Sequence, residues 1–449
     1  MGGLSIGLSI FIVIIMLGLL VTVHELGHYW VARLLGIKAF EVSIFVGPKL
    51  FHWKGKDGVE YTIRAIPIGA YVRFSEFDEE GNVIESDDPD LLINNPRWKR
   101  LLVSVAGPLM NFLLGTLILF ALFSATYYPS LDVIPAPKGT QLAATEYTPF
   151  DTVVAVDGNP VFTSFDYNYR ISLPSNDSEI TVTLKSHETG ELYDIVLTPE
   201  LQTKPSLGIL FNVSTENKYN GWYIISSFEM QNGGNVLLDS GDYLVAVDGE
   251  PVSEDLIAKF DDYTDGQVIH ITYVHNGQTL EDDMTITNMT LTNGRGIRVC
   301  DYKTESWTQL GDTALCALKM TPSIIVGSVL MIENAFKGEE EVYNVVSGPI
   351  GVTTAVNDVV ASDEGTVMDK VYIVILLSGV ISIGLVFTNM LPIPGLDGVQ
   401  MLLIIVEMII GRKISKKAEG VINVVGFCML VALVLFTFSS DIIRIILER

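Results

Sequence analysis

An apolar run from about Leu4 to Leu35 carries one concentrated polar stretch, Val21-Thr22-Val23-His24-Glu25-Leu26-Gly27-His28. A helix needs about 20 predominantly apolar residues to cross a bilayer, so this run is a membrane span with a buried polar motif, and a simple soluble fold is excluded. On a helix His24 and His28 stand one turn apart and project from one face. There they can hold a single divalent metal, usually zinc, with Glu25 beside the water to be activated. The pattern predicts hydrolysis within a membrane. The bland alternative is a structural, hydrogen-bonded histidine. Two His and a Glu within five residues argue against it, because a central charge in lipid costs about 2.5–3.5 kcal/mol on insertion scales.

Composition agrees with a chain that is part lipid-embedded and part solvated: 449 residues, 49% hydrophobic, yet a formal net charge of −25. Most of the excess acid lies between Tyr128 and Val360. That distribution excludes nucleic acid as a partner and suits a soluble region beside an anionic membrane. Cys300, Cys316 and Cys428 are too few and too scattered for a disulfide framework or a thiolate zinc site. No Lys or Arg precedes Arg33 and no small-residue cleavage pattern precedes the histidines, so the first run is expected to be a retained helix.

Basic residues set the expected topology. Arg33, Lys38, Lys49, Lys54, Lys56, Arg64 and Arg73 follow the first span, and Arg97, Lys99 and Arg100 precede a second from about Leu101 to Tyr127. By the positive-inside rule both flanks are cytoplasmic, which places the histidines near the cytoplasmic side. Between them, Phe40–Phe74 reads as strands with a turn at Gly47-Pro48, a small membrane-associated sheet able to hold a substrate segment extended, or simply to cap the helix ends. The second span contains Gly107-Pro108-Leu109-Met110-Asn111, where Asn111 needs a polar partner. A third span is expected from about Val371 to Leu391 and a fourth from about Val421 to Phe438, with Arg412, Lys413, Lys416 and Lys417 marking the cytoplasmic turn between them. Trp307–Lys337, interrupted by Pro322, reads as an amphipathic interfacial segment. Both termini then lie outside.

From Tyr128 to about Val299 short alternating strands replace the apolar runs, and Val153–Val161 recurs as Leu244–Val252, an offset of 91 residues. Two copies of one β-rich domain follow, over 128–212 and 213–300. They are flanked by 1–127 (two spans, metal motif and hairpin), 301–370 (interfacial) and 371–449 (two spans). The strand, tight Asp-Gly turn and Pro-Val strand resemble PDZ domains, which capture peptide ends by strand addition. No well-formed carboxylate-binding loop is evident in either copy, so a gate or sieve is an equal alternative.

A catalytic zinc takes three protein ligands and one open position. Asp397 fits as the third: it follows a span, and Pro392, Pro394 and Gly395 break the helix there, tolerable at membrane depth only around protein or a water-filled cavity. A plain helix N-cap is its alternative role.

Taken in order, His24-Glu25-Leu26-Gly27-His28, Gly107-Pro108 with Asn111, the duplicated domains, Ser347-Gly348-Pro349-Ile350-Gly351 and the N-x-x-P-x-P-x-L-D-G signature from Asn389 to Gly398 resemble site-2-protease-type intramembrane zinc metalloproteases. The closest pattern is that of the bacterial regulator-of-sigma-E protease subgroup with tandem PDZ domains. The resemblance implies a polytopic helical protein of about four spans in the bacterial cytoplasmic membrane, with extracytoplasmic PDZ-like domains. It implies Zn2+ on His24, His28 and Asp397, with Glu25 as general base and then proton donor to the leaving amine. Asn389, Asn111 and the hairpin, including Gly69 and Tyr71, are implied to contact substrate. Substrates would be single-span membrane proteins such as anti-sigma factors or remnant signal peptides, and the PDZ-like domains could bind peptide ligands. Phe45-Val46-Gly47-Pro48 departs from the family in lacking the second glycine of that turn. Two other classes compete: a catalytically silent PDZ membrane scaffold, and a metal transporter, which would need ligands on several spans.

Overall fold

The computed structural model describes residues 2–447 except 76–83, 85, 137–141, 143–144, 173–178, 199–200, 213–217, 229–230, 254–255, 257–258, 276, 293–296, 338–347, 363–365 and 394. Ser347 and Pro394 of the motifs above lie outside the described residues. The helices in chain order are α1 Gly2–Leu34, α2 Arg97–Ala125, α3 Ser164–Ser172, α4 Leu310–Lys337, α5 Pro349–Ala361, α6 Val367–Met390, α7 Asp397–Ile410 and α8 Lys416–Leu447. Two compact units form: residues 1–130, 162–166 and 301–449 make the first, and 131–161 with 167–300 make the second.

The first unit is built on α2. Its buried positions include Val103, Gly107, Asn111, Gly115, Leu119 and Phe123, the spacing of one helical face. Small residues let its backbone approach its neighbours, as they do between membrane helices. A Cβ on Gly27 of α1 would lie 2.5 Å from the Ala106 carbonyl, and one on Gly115 would lie 3.0 Å from the Gly379 carbonyl of α6. Thr366 starts α6 with a capping box to Asp369, and Gly411 ends α7 in a left-handed conformation at φ 80°.

Five helices are long and apolar enough to cross a membrane: Ser5–Leu34, Arg97–Ala125, Trp307–Lys337, Val367–Met390 and Gly420–Ile443. Four match the expected spans. The third in that order corrects the reading of Trp307–Lys337 as interrupted, because α4 runs unbroken through Pro322. The proline removes only one helix donor, and the helix is held there by neighbours. Ser323 Oγ donates to Asp166 Oδ1 at 2.6 Å, and its hydroxyl pairs with that of Thr163 at 2.7 Å.

Next to α1 lies a two-stranded sheet of β1 Glu41–Lys54 and β2 Glu60–Arg73, which folds over on itself. Glu41 pairs with both Arg73 and Glu60, while Lys54 pairs with Glu60. The 70–73 run is therefore an edge. Tyr29 of α1 anchors the sheet, its hydroxyl donating to Asp57 Oδ2 at 2.9 Å and lying 2.7 Å from the Tyr61 hydroxyl.

The second unit contains the repeat. β4 Thr152–Val156 turns into β5 Asn159–Pro160, and β11 Tyr243–Val247 turns into β12 Glu250–Pro251. Both turns put Asp-Gly at positive φ, Asp157 49° with Gly158 72° and Asp248 50° with Gly249 78°, the tight hairpin this dipeptide favours. Each turn aspartate also accepts an N–H from the neighbouring strand, Thr181 at 2.7 Å or His270 at 2.8 Å. The sheets assort differently from the contiguous halves 128–212 and 213–300. β16 Val299–Lys303 completes the first sheet, in the order β16, β3 (Tyr127–Val133), β4, β6 (Ile180–Lys185) and β7 (Leu192–Leu197), and β9 Ile209–Asn212 joins the second, in the order β14 (Gln278–Thr285), β13 (Val268–His275), β11, β10 (Trp222–Ser227) and β9. Ile297 accordingly packs in the first core, with Val153 and Leu184, and Ile209 packs in the second, with Trp222 and Ile271. The second repeat is nested within the first.

Candidate metal centre

α1 supplies His24 and His28 from one face, and α7 brings Asp397 to them from the other end of the chain. Asp397 Oδ2 lies 2.9 Å from His24 Nε2 and 3.4 Å from His28 Nε2, and the two Nε2 atoms are 3.2 Å apart. Donors bound at about 2.0–2.2 Å to one tetrahedral zinc stand roughly 3.3 Å from each other, so this triangle has the size of a zinc face. Both histidines are buried, with relative exposures of 6% and 8%. Gly107 of α2 leaves the space open: a Cβ there would lie 2.3 Å from His28 Nε2 and 2.6 Å from His24 Nε2.

The outer nitrogens fix the tautomers. His28 Nδ1 donates to the Val103 carbonyl at 2.7 Å, which leaves Nε2 with its lone pair toward the centre. His24 Nδ1 lies 3.3 Å from the Asn111 amide. That contact is made by Asn111 Nδ2. With Nε2 as ligand, Nδ1 would carry its hydrogen and Asn111 would present its amide oxygen to it, the two amide ends exchanging places. Ser382 of α6 donates to the Asn111 carbonyl at 2.8 Å and holds α2 in place. These are polar donors and acceptors disposed for two neutral imidazoles and a carboxylate, the donor set of a hydrolytic zinc site.

Glu25 is half-buried on the same helix, and its carboxylate accepts the Val72 N–H of β2 at 3.1 Å. The edge run of the sheet thus touches the candidate base directly. Behind that edge, Glu41 is a buried node. It accepts Thr62 Oγ1 at 3.0 Å, Arg64 Nη2 at 2.8 Å and Tyr71 Oη at 3.0 Å. Burial alone would raise the Glu41 carboxyl, but the Arg64, Tyr71 and Thr62 bonds outweigh it and hold the group below the usual carboxylate range.

The expected site residues separate by position. His24, Glu25, His28 and Asp397 converge, and Asn111 stands behind His24. Tyr71 spends its hydroxyl on Glu41, and Gly69 bends the edge run at φ 74°. Asn389 is partly buried in the last turn of α6, and none of the described hydrogen bonds of the centre runs to it. Phe45, in the turn that lacks a second glycine, takes φ 68°, a conformation that suits glycine; its ring packs on Gly18, where a Cβ would lie 3.1 Å away. The Val103 carbonyl, the Val72 N–H and Ser382 were not legible in the sequence, because backbone groups and a lone serine carry no pattern.

Peptidase family M50 matches residues 12–433 of the chain. Two relatives with zinc metalloprotease in their names, from Xylella fastidiosa (strain Temecula1) and Vibrio cholerae, are each 26% identical. The first match covers 97% of this chain and 98% of that one, and the second 96% and 98%. Metalloprotease MmpA of Caulobacter vibrioides is 31% identical over 205 residues, 41% of this chain and 50% of that one. A match running from the first helix into the last, in a chain whose α1 and α7 meet at one metal centre, makes this protein a member of peptidase family M50, a zinc metalloprotease.

Proposed function

We propose that this protein is an intramembrane protease that cuts peptide bonds within the transmembrane segments of single-span membrane proteins. The observation that carries the reading is the meeting of His24, His28 and Asp397 at 2.9–3.4 Å, on helices apolar enough to lie in lipid, with Glu25 tethered to a sheet edge. His24, His28 and Asp397 would hold the zinc, which would supply Lewis acidity for activating a water. Glu25 takes the proton of the attacking water and returns it to the leaving amine. Val72 N–H orients that carboxylate. A substrate helix must be unwound before attack, since its carbonyls are hydrogen-bonded; the 69–73 edge, including Gly69, is suited to hold the freed strand by main-chain pairing. Asn389 would face the substrate, and Tyr71 would act through Glu41. Asn111 would hold His24.

The basic flanks support a topology with the metal centre toward the cytoplasm and both termini and the β-rich repeats outside. α4 fits this topology without crossing. It begins just after Thr304, whose N–H donates to Thr126 at the end of α2, and it precedes Gly348, whose N–H donates to Asp441 near the end of α8. Both flanks then lie outside, leaving four spans. The nested repeats would act as PDZ-like modules that exclude intact ectodomains or bind peptide ends, in a cascade where anti-sigma factors or remnant signal peptides are trimmed first.

The test is Glu25→Gln in cells. Membrane peptides released by wild-type protein should be absent with the variant, while zinc per protein stays constant. Unchanged release would refute the protease reading.

A further inference from the structure

At the start of α2 an open cleft of about 520 Å³ is lined by Asn94, Arg97, Trp98, Arg100, Met408 and Lys413. Three cations converge there from two helices' ends. Arg100 is already paired with Glu407 at 2.7 Å, and Lys413 Nζ donates to the Ile93 carbonyl at 2.8 Å. Among the described residues no carboxylate pairs with Arg97 or Lys413. Pro96 caps α2 without a side-chain hydrogen bond, so the first N–H groups of a 29-residue helix add positive potential at the same place. On the topology proposed above this is the level of the membrane surface, beside the end of α1, where Lys99 Nζ donates to the Leu35 carbonyl at 2.9 Å. The same helices carry exposed apolar side chains beside the cleft, Trp98 and Leu102 one turn apart on α2, and Ile405, Met408 and Ile409 on α7.

We infer that this cleft binds the phosphate of an anionic phospholipid. Arg97 and Lys413 engage the headgroup, Trp98 sits at the glycerol level where indoles are favoured, and an acyl chain follows the Leu102–Ile409 wall. A free phosphate would gain the cations but not the wall. The inference rests on the membrane topology proposed above, and its readout is independent of proteolysis. The cleft lies at the opposite end of α7 from Asp397, so the lipid and the proposed metal ligand would be carried by one helix.

The test is native mass spectrometry of the full-length protein in neutral detergent, titrated with phosphatidylglycerol or phosphatidylcholine. Phosphatidylglycerol adducts should dominate. Lys413→Gln, at an exposed residue, should weaken them about fivefold and the Arg97→Gln/Lys413→Gln pair roughly 30-fold, as expected for cations near a lipid surface. Lys54→Gln/Lys56→Gln, an equal loss of charge on the sheet, should change binding less than twofold, and zinc content reports that each variant is folded. Equal loss in that control, equal binding of phosphatidylcholine, or displacement of the lipid by millimolar inorganic phosphate would each overturn the assignment.

Discussion

Gly107→Ala places one methyl group where the metal centre must stay open. The added carbon would sit 2.3 Å from His28 Nε2 and 2.6 Å from His24 Nε2, whereas a relaxed non-bonded contact is about 3.5 Å, an overlap of roughly 1 Å on both ligands. α2 cannot back away cheaply. It is held against α1 at Gly27 and Ala106 and against α6 at Gly115 and Gly379, where backbone already meets backbone. The imidazoles must therefore rotate, breaking the Val103 and Asn111 contacts that aim them. Loss of an outer partner alone typically costs 10–100-fold in metal affinity, so displacing both ligands should cost at least about 100-fold. The same change is favourable to the helix by roughly 0.5–1 kcal/mol, since alanine replaces glycine in its interior. The expected signature is a protein that purifies with little zinc while its helical signal melts no earlier than that of metal-free wild type. Gly384→Ala, with nothing within 4 Å of the new methyl, is the control and should keep its zinc. Elemental analysis paired with circular dichroism reads both quantities. Wild-type zinc affinity in Gly107→Ala would refute the placement of the centre.

Glu41→Ala removes a buried carboxylate and strands Arg64, a change worth about 3–5 kcal/mol, so limited proteolysis of the 41–73 sheet should accelerate and substrate cleavage should fall while zinc content holds. Unchanged turnover would show that the sheet edge does not position Glu25. The two repeats should respond oppositely to acid. Burial would raise Asp151, but the Tyr193 hydroxyl and the backbone and ring N–H groups of His187 hold its carboxyl below the usual range, so its contribution is present above about pH 4 and is lost as pH falls through the lowered value. Asp242, the equivalent residue before β11, is raised by burial despite bonds from Asp239 N–H and His275, so its charge opposes folding and that penalty vanishes on acidification. Pulse-labelling hydrogen exchange after acid incubation should open 152–156 and 180–185 before 243–247 and 268–274; simultaneous opening would refute the opposed signs.

The readable parts of this protein were those that carry charge or period. The metal motif, the basic flanks of four spans and the Asp-Gly repeat each combine residue type with spacing, and each reappears as a helix, a helix flank or a hairpin. Asp397 was reachable because a carboxylate and a proline break coincide at membrane depth. What escaped depends on neighbours. Pro322 argued for an interrupted segment, yet α4 continues because Thr163 and Asp166 grip Ser323 beside it. The nesting of the repeats was hidden because strand order is a tertiary choice, and nothing in Val299–Lys303 announces which sheet it will join. The tethering of Glu25 was hidden because Val72 acts through its backbone.

Each polar group that lipid would penalise in the centre has its partner on a different helix or strand, and this has a consequence for how the centre forms. The two histidines are aimed by α2, through Val103 and Asn111, and Asn111 is in turn held by Ser382 of α6. Asp397 arrives separately on α7, whose far end is pinned to α2 by the buried Arg100–Glu407 pair, with side-chain exposures of 16% and 7%. α2 is therefore the common reference for all three proposed ligands. Rotating or shifting it would break the aim of His24 and His28 and move Asp397 together, so the ligand set assembles or fails as one. The cost of holding three polar donors in an apolar surround is met by these protein contacts. Zinc would then meet a prearranged site, so chelation should remove activity while leaving the helices packed.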